Sequence, residues 1–121
     1  LLATLLSVLW VGAFAATHIP KAHMPEDIHV SDKTLHAAGY FVLGAMLLLT
    51  CASRGKPRWT RVLLTLALLA AYGAVDEITQ PLVNRVAAFA DWLADIAGAA
   101  AATLIIELAL TLTPRRPSSA S

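Results

Sequence analysis

LHAAGYFVLGAMLLLTCA, residues Leu35–Ala52, runs for eighteen positions without Asp, Glu, Lys or Arg. About 17–25 apolar residues span a bilayer as a helix. A helix also satisfies its own backbone hydrogen bonds where lipid offers no water. Three further apolar runs flank it: Leu1–Thr17, Val62–Val75 continuing to about Gln80, and Ala90–Leu112. The expected fold is all-α, an integral membrane four-helix bundle over residues 1–113. A Pro/Ser-rich tail, 114–121, is expected to be disordered. Of the 121 residues, 58% are hydrophobic and 14% charged. Soluble domains carry about 25% charged residues, and the short connections leave no room for one.

Charge distribution orients the bundle. Arg54, Lys56, Arg58 and Arg61 fill the second connection, and Arg115 and Arg116 follow the last helix. The opposite side holds only Lys21, Lys33 and Arg85. The positive-inside rule places both termini and the second connection in the cytoplasm. The six inner cations read as topology determinants beside anionic lipid heads, with no pattern pointing to nucleic acid. Ala13-Phe14-Ala15 resembles a signal-peptide cleavage site, but removing the segment would leave three spans and an odd topology, so it is expected to remain as the first helix. Cys51, the single cysteine, is expected to be a small apolar filler near the cytoplasmic end of the second helix.

Seven of the eight acids fall on the outer side: Glu26, Asp27, Asp32, Asp76, Glu77, Asp91 and Asp95, with Glu107 apart. Carboxylates are costly near hydrocarbon and mark functional positions. Local explanations account for some of them. Glu26 and Asp27 suit a solvated loop broken by Pro20 and Pro25. Ser31 or Asp32 can cap the second helix, and Asp91 the fourth. Asp76 suits a wet helix end. Glu77 and Asp95 resist such readings. Glu77 sits at a helix C-terminus, where the macrodipole disfavours negative charge, and shares a face with Gln80. Asp95 lies one turn below Asp91, beside a small-residue stripe of Ala94, Gly98 and Ala102 that admits a close helix neighbour. Asp32, His36 and Tyr40 form a four-residue row descending from the outer surface, with His36 a turn inside apolar sequence.

Asp32-Lys33-Thr34-Leu35-His36, followed by Gly39-Tyr40-Phe41-Val42-Leu43-Gly44, resembles the first motif of the VanZ-like membrane proteins. Glu77-Ile78-Thr79-Gln80 is similar to their E-x-x-Q motif. Arg85, then Asp91 six residues on, then Gly98, resembles their later R…D…N…G motif. The family usually has Asn where this chain has Asp95, so Asp95 is expected to be protonated or paired with Arg85. The resemblance covers nearly the whole chain. It implies a small multi-pass protein of the bacterial cytoplasmic membrane, from a family linked to teicoplanin resistance.

The residues support several functions. In the first, Lys33, His36, Glu77, Gln80, Arg85, Asp91 and Asp95 bind the head group of a membrane lipid, a lipid-linked envelope precursor or another amphiphile. Lys33 and Arg85 would meet phosphate or carboxylate, and the acids would meet amines and hydroxyls. In the second, the chain is an intramembrane acid/base enzyme with His36, Glu77 and Asp95 as catalytic candidates. A metal held by His36, Glu77, Asp91 and Asp95 ranks below both, because HExxH and cysteine pairs are missing. No metal or other cofactor is expected, and homo-oligomers remain compatible. A proton-coupled transporter would need acids along the inner halves of the helices, where only Glu107 lies.

Overall fold

The computed structural model describes residues 1–20 and 31–113. Their helices are α1 (Leu2–Thr17), α2 (Asp32–Ser53), α3 (Arg58–Thr79) and α4 (Phe89–Leu112), with a 3-10 turn at Gln80–Val83. Four helices and an all-α class agree with the apolar runs. Three segments are long and apolar enough to cross a membrane: Asp32–Ser53, Arg58–Val83 and Phe89–Leu112. The first helix differs. Its 16 residues rise about 24 Å, short of the roughly 30 Å hydrocarbon core. Glu26, Asp27, Lys21 and the tail with Arg115 and Arg116 lie outside the described residues.

Local chemistry sets the helix ends. Ser31 caps α2, its Oγ accepting the Thr34 N–H at 3.2 Å. After α2, Gly55 takes the left-handed conformation (φ 70°), which glycine adopts without a Cβ clash, and the Lys56 N–H returns to the Cys51 carbonyl. Pro57 then occupies the N-cap of α3. Pro81 supplies no N–H, so the α-helical ladder stops at Thr79 and the chain tightens into the 3-10 turn. Asn84, at φ 58°, reverses the chain and delivers Arg85 to the bundle end.

Helix α4 begins earlier than the sequence suggests. Its N-cap is Ala88, which has no side-chain acceptor of its own, and Asp91 lies in the first turn. The expected cap role of Asp91 is therefore corrected. The macrodipole still favours a carboxylate there.

The chain runs back and forth. The end of α1, the start of α2, the turn after α3 and the start of α4 share one end of the bundle, joined by side-chain contacts among them. The start of α3 meets the end of α4 at the other. Helices α2 and α4 approach closely. A Cβ at Gly98 would overlap the Ala37 carbonyl oxygen, and one at Gly44 would lie 3.3 Å from the Ala99 Cα and the Ala102 Cβ. The stripe through Gly98 and Ala102 thus accepts α2 as its neighbour.

The core is narrow: Tyr40, Leu43, Leu47, Leu48, Leu69 and Ala102, with Cys51 in the filler role expected of it. Large apolar side chains cover the outside, among them Val42, Leu63, Ile78, Leu82 and Leu104, as lipid-facing helices require. Helix α1 buries none of its residues and is the peripheral member. It is tied on by a Trp10–Tyr72 stack at 4.9 Å and by the Tyr72 hydroxyl donating to the Trp10 carbonyl at 2.7 Å.

At the end opposite the acidic cluster, Glu107 is buried and receives Arg61 through two guanidinium nitrogens, one contact being Nη2–Oε2 at 2.8 Å. Arg58 stands 3.5 Å from the same carboxylate. The sequence marks Arg58 and Arg61 as topology determinants and leaves Glu107 without a partner. The structure makes all three a helix-joining ion cluster.

Candidate functional site

The bundle end that holds the starts of α2 and α4 concentrates the polar side chains. His36 sits a little over one turn into α2 and is 4% exposed. Its Nδ1 lies 2.8 Å from Asp95 Oδ1 on α4 and 3.9 Å from Glu77 Oε1 on α3. Against an ionised Asp95, the shorter contact requires the proton on Nδ1. Asp95 itself is fully buried. The sequence leaves it protonated or paired with Arg85; the structure pairs it with His36.

Glu77 accepts hydrogen bonds on both oxygens. Gln80 Nε2 donates to its Oε1 at 3.2 Å, and the Ala88 N–H donates to its Oε2 at 2.8 Å. A residue at the C-terminal end of α3 thereby serves the N-terminus of α4, which explains a carboxylate placed against its own helix dipole. Gln80 also donates to Asp76 Oδ2 at 3.3 Å.

Asp76 corrects a second expectation. It is 1% exposed rather than a wet helix end. The Thr17 hydroxyl donates to its Oδ1 at 2.6 Å, and His18 stands 3.6 Å away. Both partners come from the end of α1, about sixty residues distant in sequence.

Arg85 is buried and directs Nη2 to both oxygens of Asp32, at 3.2 and 3.1 Å, while Nη1 donates to the Ile19 carbonyl at 3.4 Å. Lys33 remains largely exposed, 3.9 Å from the buried Asp91. All seven head-group candidates named from the sequence lie at this end. Six are buried, and Lys33 stands at the rim.

Gly73 makes room for the centre. A Cβ there would fall 2.8 Å from Asp95 Oδ2 and 3.3 Å from the Tyr40 hydroxyl. Sequence reasoning missed Gly73, Thr17, His18 and Ile19. A glycine inside an apolar helix, four residues before Glu77, was the available signal for Gly73. Nothing local marked the other three.

No family model matches the chain, nor does any curated protein or solved structure. The chemistry must be read from the cluster itself. It offers two imidazoles, His36 and His18, several carboxylate acceptors, one amide and two cations. Such a set can bind donor-rich groups, hold a cation, or move a proton between His36 and its acidic neighbours.

Proposed function

We propose that this chain is a VanZ-like protein of the bacterial cytoplasmic membrane. In this reading both termini face the cytoplasm, and the outer end binds the head group of a lipid, a lipid-linked glycan or another amphiphile. The observation that carries it is a run of exposed apolar side chains in the stretch 78–89, interleaved with members of the polar cluster. Ile78, Leu82, Val86 and Phe89 are all at least 70% exposed and lie beside Glu77, Gln80, Arg85 and Asp91. An amphiphile could keep its chains against those side chains while its head group meets the acids. Asp91 and Glu77 suit hydroxyl or amine donors. Lys33, at the rim, suits a phosphate. Arg85, engaged by Asp32, fits a role in positioning the rim. The test is the lipid retained by the purified protein. Loss of one enriched class in Lys33→Ala and Asp91→Asn supports the reading, and a profile unchanged from wild type refutes it.

A second reading, an intramembrane acid/base enzyme acting on a lipid-linked substrate, is favoured by the His36–Asp95 hydrogen bond at 2.8 Å with Glu77 nearby. Asp95 would orient the imidazole, and Glu77 would exchange protons with substrate. Turnover in membranes that survives Glu77→Gln would exclude it.

A further inference from the structure

Two three-residue groups meet at His36. Asp32, His36 and Asp91 form one, and His36, Glu77 and Asp95 the other; within each, candidate ligand atoms lie within 4.8 Å of one another. Their charge environments differ. Asp32 has Arg85 on both oxygens, and Asp91 has Lys33. Glu77 and Asp95 are both buried, and the partners described for them are neutral donors, Gln80 and the Ala88 N–H, together with His36. A buried carboxylate pair without a matching cation is costly in a low-dielectric interior.

A second observation points to the same place. Tyr40 is 3% exposed, and its hydroxyl has no hydrogen-bond partner among the described residues. Asp95 Oδ2 is also buried and, among the described residues, without a partner. Both atoms face the space beside Gly73, within 3.3 Å of the point a Cβ would occupy. Two orphaned buried oxygens around a missing side chain are what a small polar guest would satisfy.

We infer that His36, Glu77 and Asp95 form a binding site for one divalent transition-metal ion, with the Tyr40 hydroxyl directed at an ion-bound water. One imidazole nitrogen with two carboxylates is a set that Zn²⁺ or Mn²⁺ accepts, leaving further positions for water. The ion would replace the Nδ1 proton that His36 directs at Asp95 and would offset the excess negative charge. It would lie at the depth where α2, α3 and α4 meet, below the rim occupied by Lys33. The inference shares Glu77 with the head-group reading but does not require it, because it rests on His36, Asp95 and the two orphaned oxygens beside Gly73.

The test is titration of the chelator-treated full chain, in detergent without added lipid, with Zn²⁺ and separately with Mn²⁺. Bound metal is counted by elemental analysis. One ion per chain is expected, with affinity lowered by more than about 100-fold in His36→Gln and in Asp95→Asn, beyond the range typical for outer partners. Gly73→Ala, which crowds Asp95 Oδ2, should weaken binding by about 10–100-fold. Asp32→Asn should retain one ion per chain. Helical circular dichroism identifies any variant that fails to fold, and Glu77→Gln then serves in its place. Failure of wild type to bind either ion overturns the inference. So does undiminished binding in the His36→Gln/Asp95→Asn double variant. Binding lost in Asp32→Asn yet kept in Asp95→Asn also overturns it, by moving the site to the other group. A negative metal titration beside an intact lipid preference removes the ion and leaves the head-group reading standing.

Discussion

His36 Nδ1 and Asp95 Oδ1, fifty-nine residues apart, meet at 2.8 Å and join α2 to α4 near the acidic end of the bundle. Removing one member of a buried pair leaves the other exposed to a low dielectric, at a cost of about 3–5 kcal/mol when a charge is stranded. His36→Leu is therefore expected to destabilise the protein by about 3 kcal/mol. Asp95→Asn retains a carbonyl acceptor for the Nδ1 proton and should cost less than about 1.5 kcal/mol. Denaturant titration in mixed micelles measures both. Equal losses would contradict the pairing.

The far end offers an independent check. Arg61 and Glu107 bridge α3 and α4 through paired contacts, with Glu107 almost fully buried. A double-mutant cycle with Arg61→Met and Glu107→Gln should give a coupling of about 1–3 kcal/mol, as expected for residues in one ion-pair network. Coupling near zero would mean that the carboxylate is stabilised by other means.

Glycines make a sharp comparison. A Cβ at Gly98 meets the Ala37 backbone, whereas one at Gly39 meets nothing within 4 Å. Gly98→Ala should destabilise the protein by about 1–3 kcal/mol by forcing α2 and α4 apart. Gly39→Ala should be neutral or stabilising by up to about 1 kcal/mol through helix propensity. Thermal unfolding of the two variants gives the order directly.

These contacts show which parts of the molecule could be read from sequence. Apolar runs located the helices because each run's burial requirement is local. Ser31 marked an end for the same reason: cap chemistry acts over a few residues. The site residues were named because carboxylates in apolar sequence stand out. Their partners were not legible. Asp76 looked solvent-exposed because Thr17 and His18, which cover it, arrive from α1. Glu77 looked misplaced on α3 because the N–H it accepts belongs to Ala88. Asp91 was read as a cap for want of that same contact. Arg85 had several acids within reach, and only the fold selects Asp32. Long-range pairing depends on helix order and rotation, which periodicity does not encode.

The proposed topology rests on the placement of cations. In a Cys51→Ala background, Lys33→Cys should react with a membrane-impermeant maleimide from outside the cell. Lys56→Cys should react only after permeabilisation. The reverse labelling pattern would invert the proposed orientation.

The central claim is that the acidic end binds an amphiphile's head group, and lipid analysis of the purified protein tests it most directly. Wild type should carry one lipid class enriched over the surrounding membrane, and Lys33→Ala and Asp91→Asn, folded by circular dichroism, should lose that enrichment. Identical lipid profiles in wild type and both variants would contradict the claim.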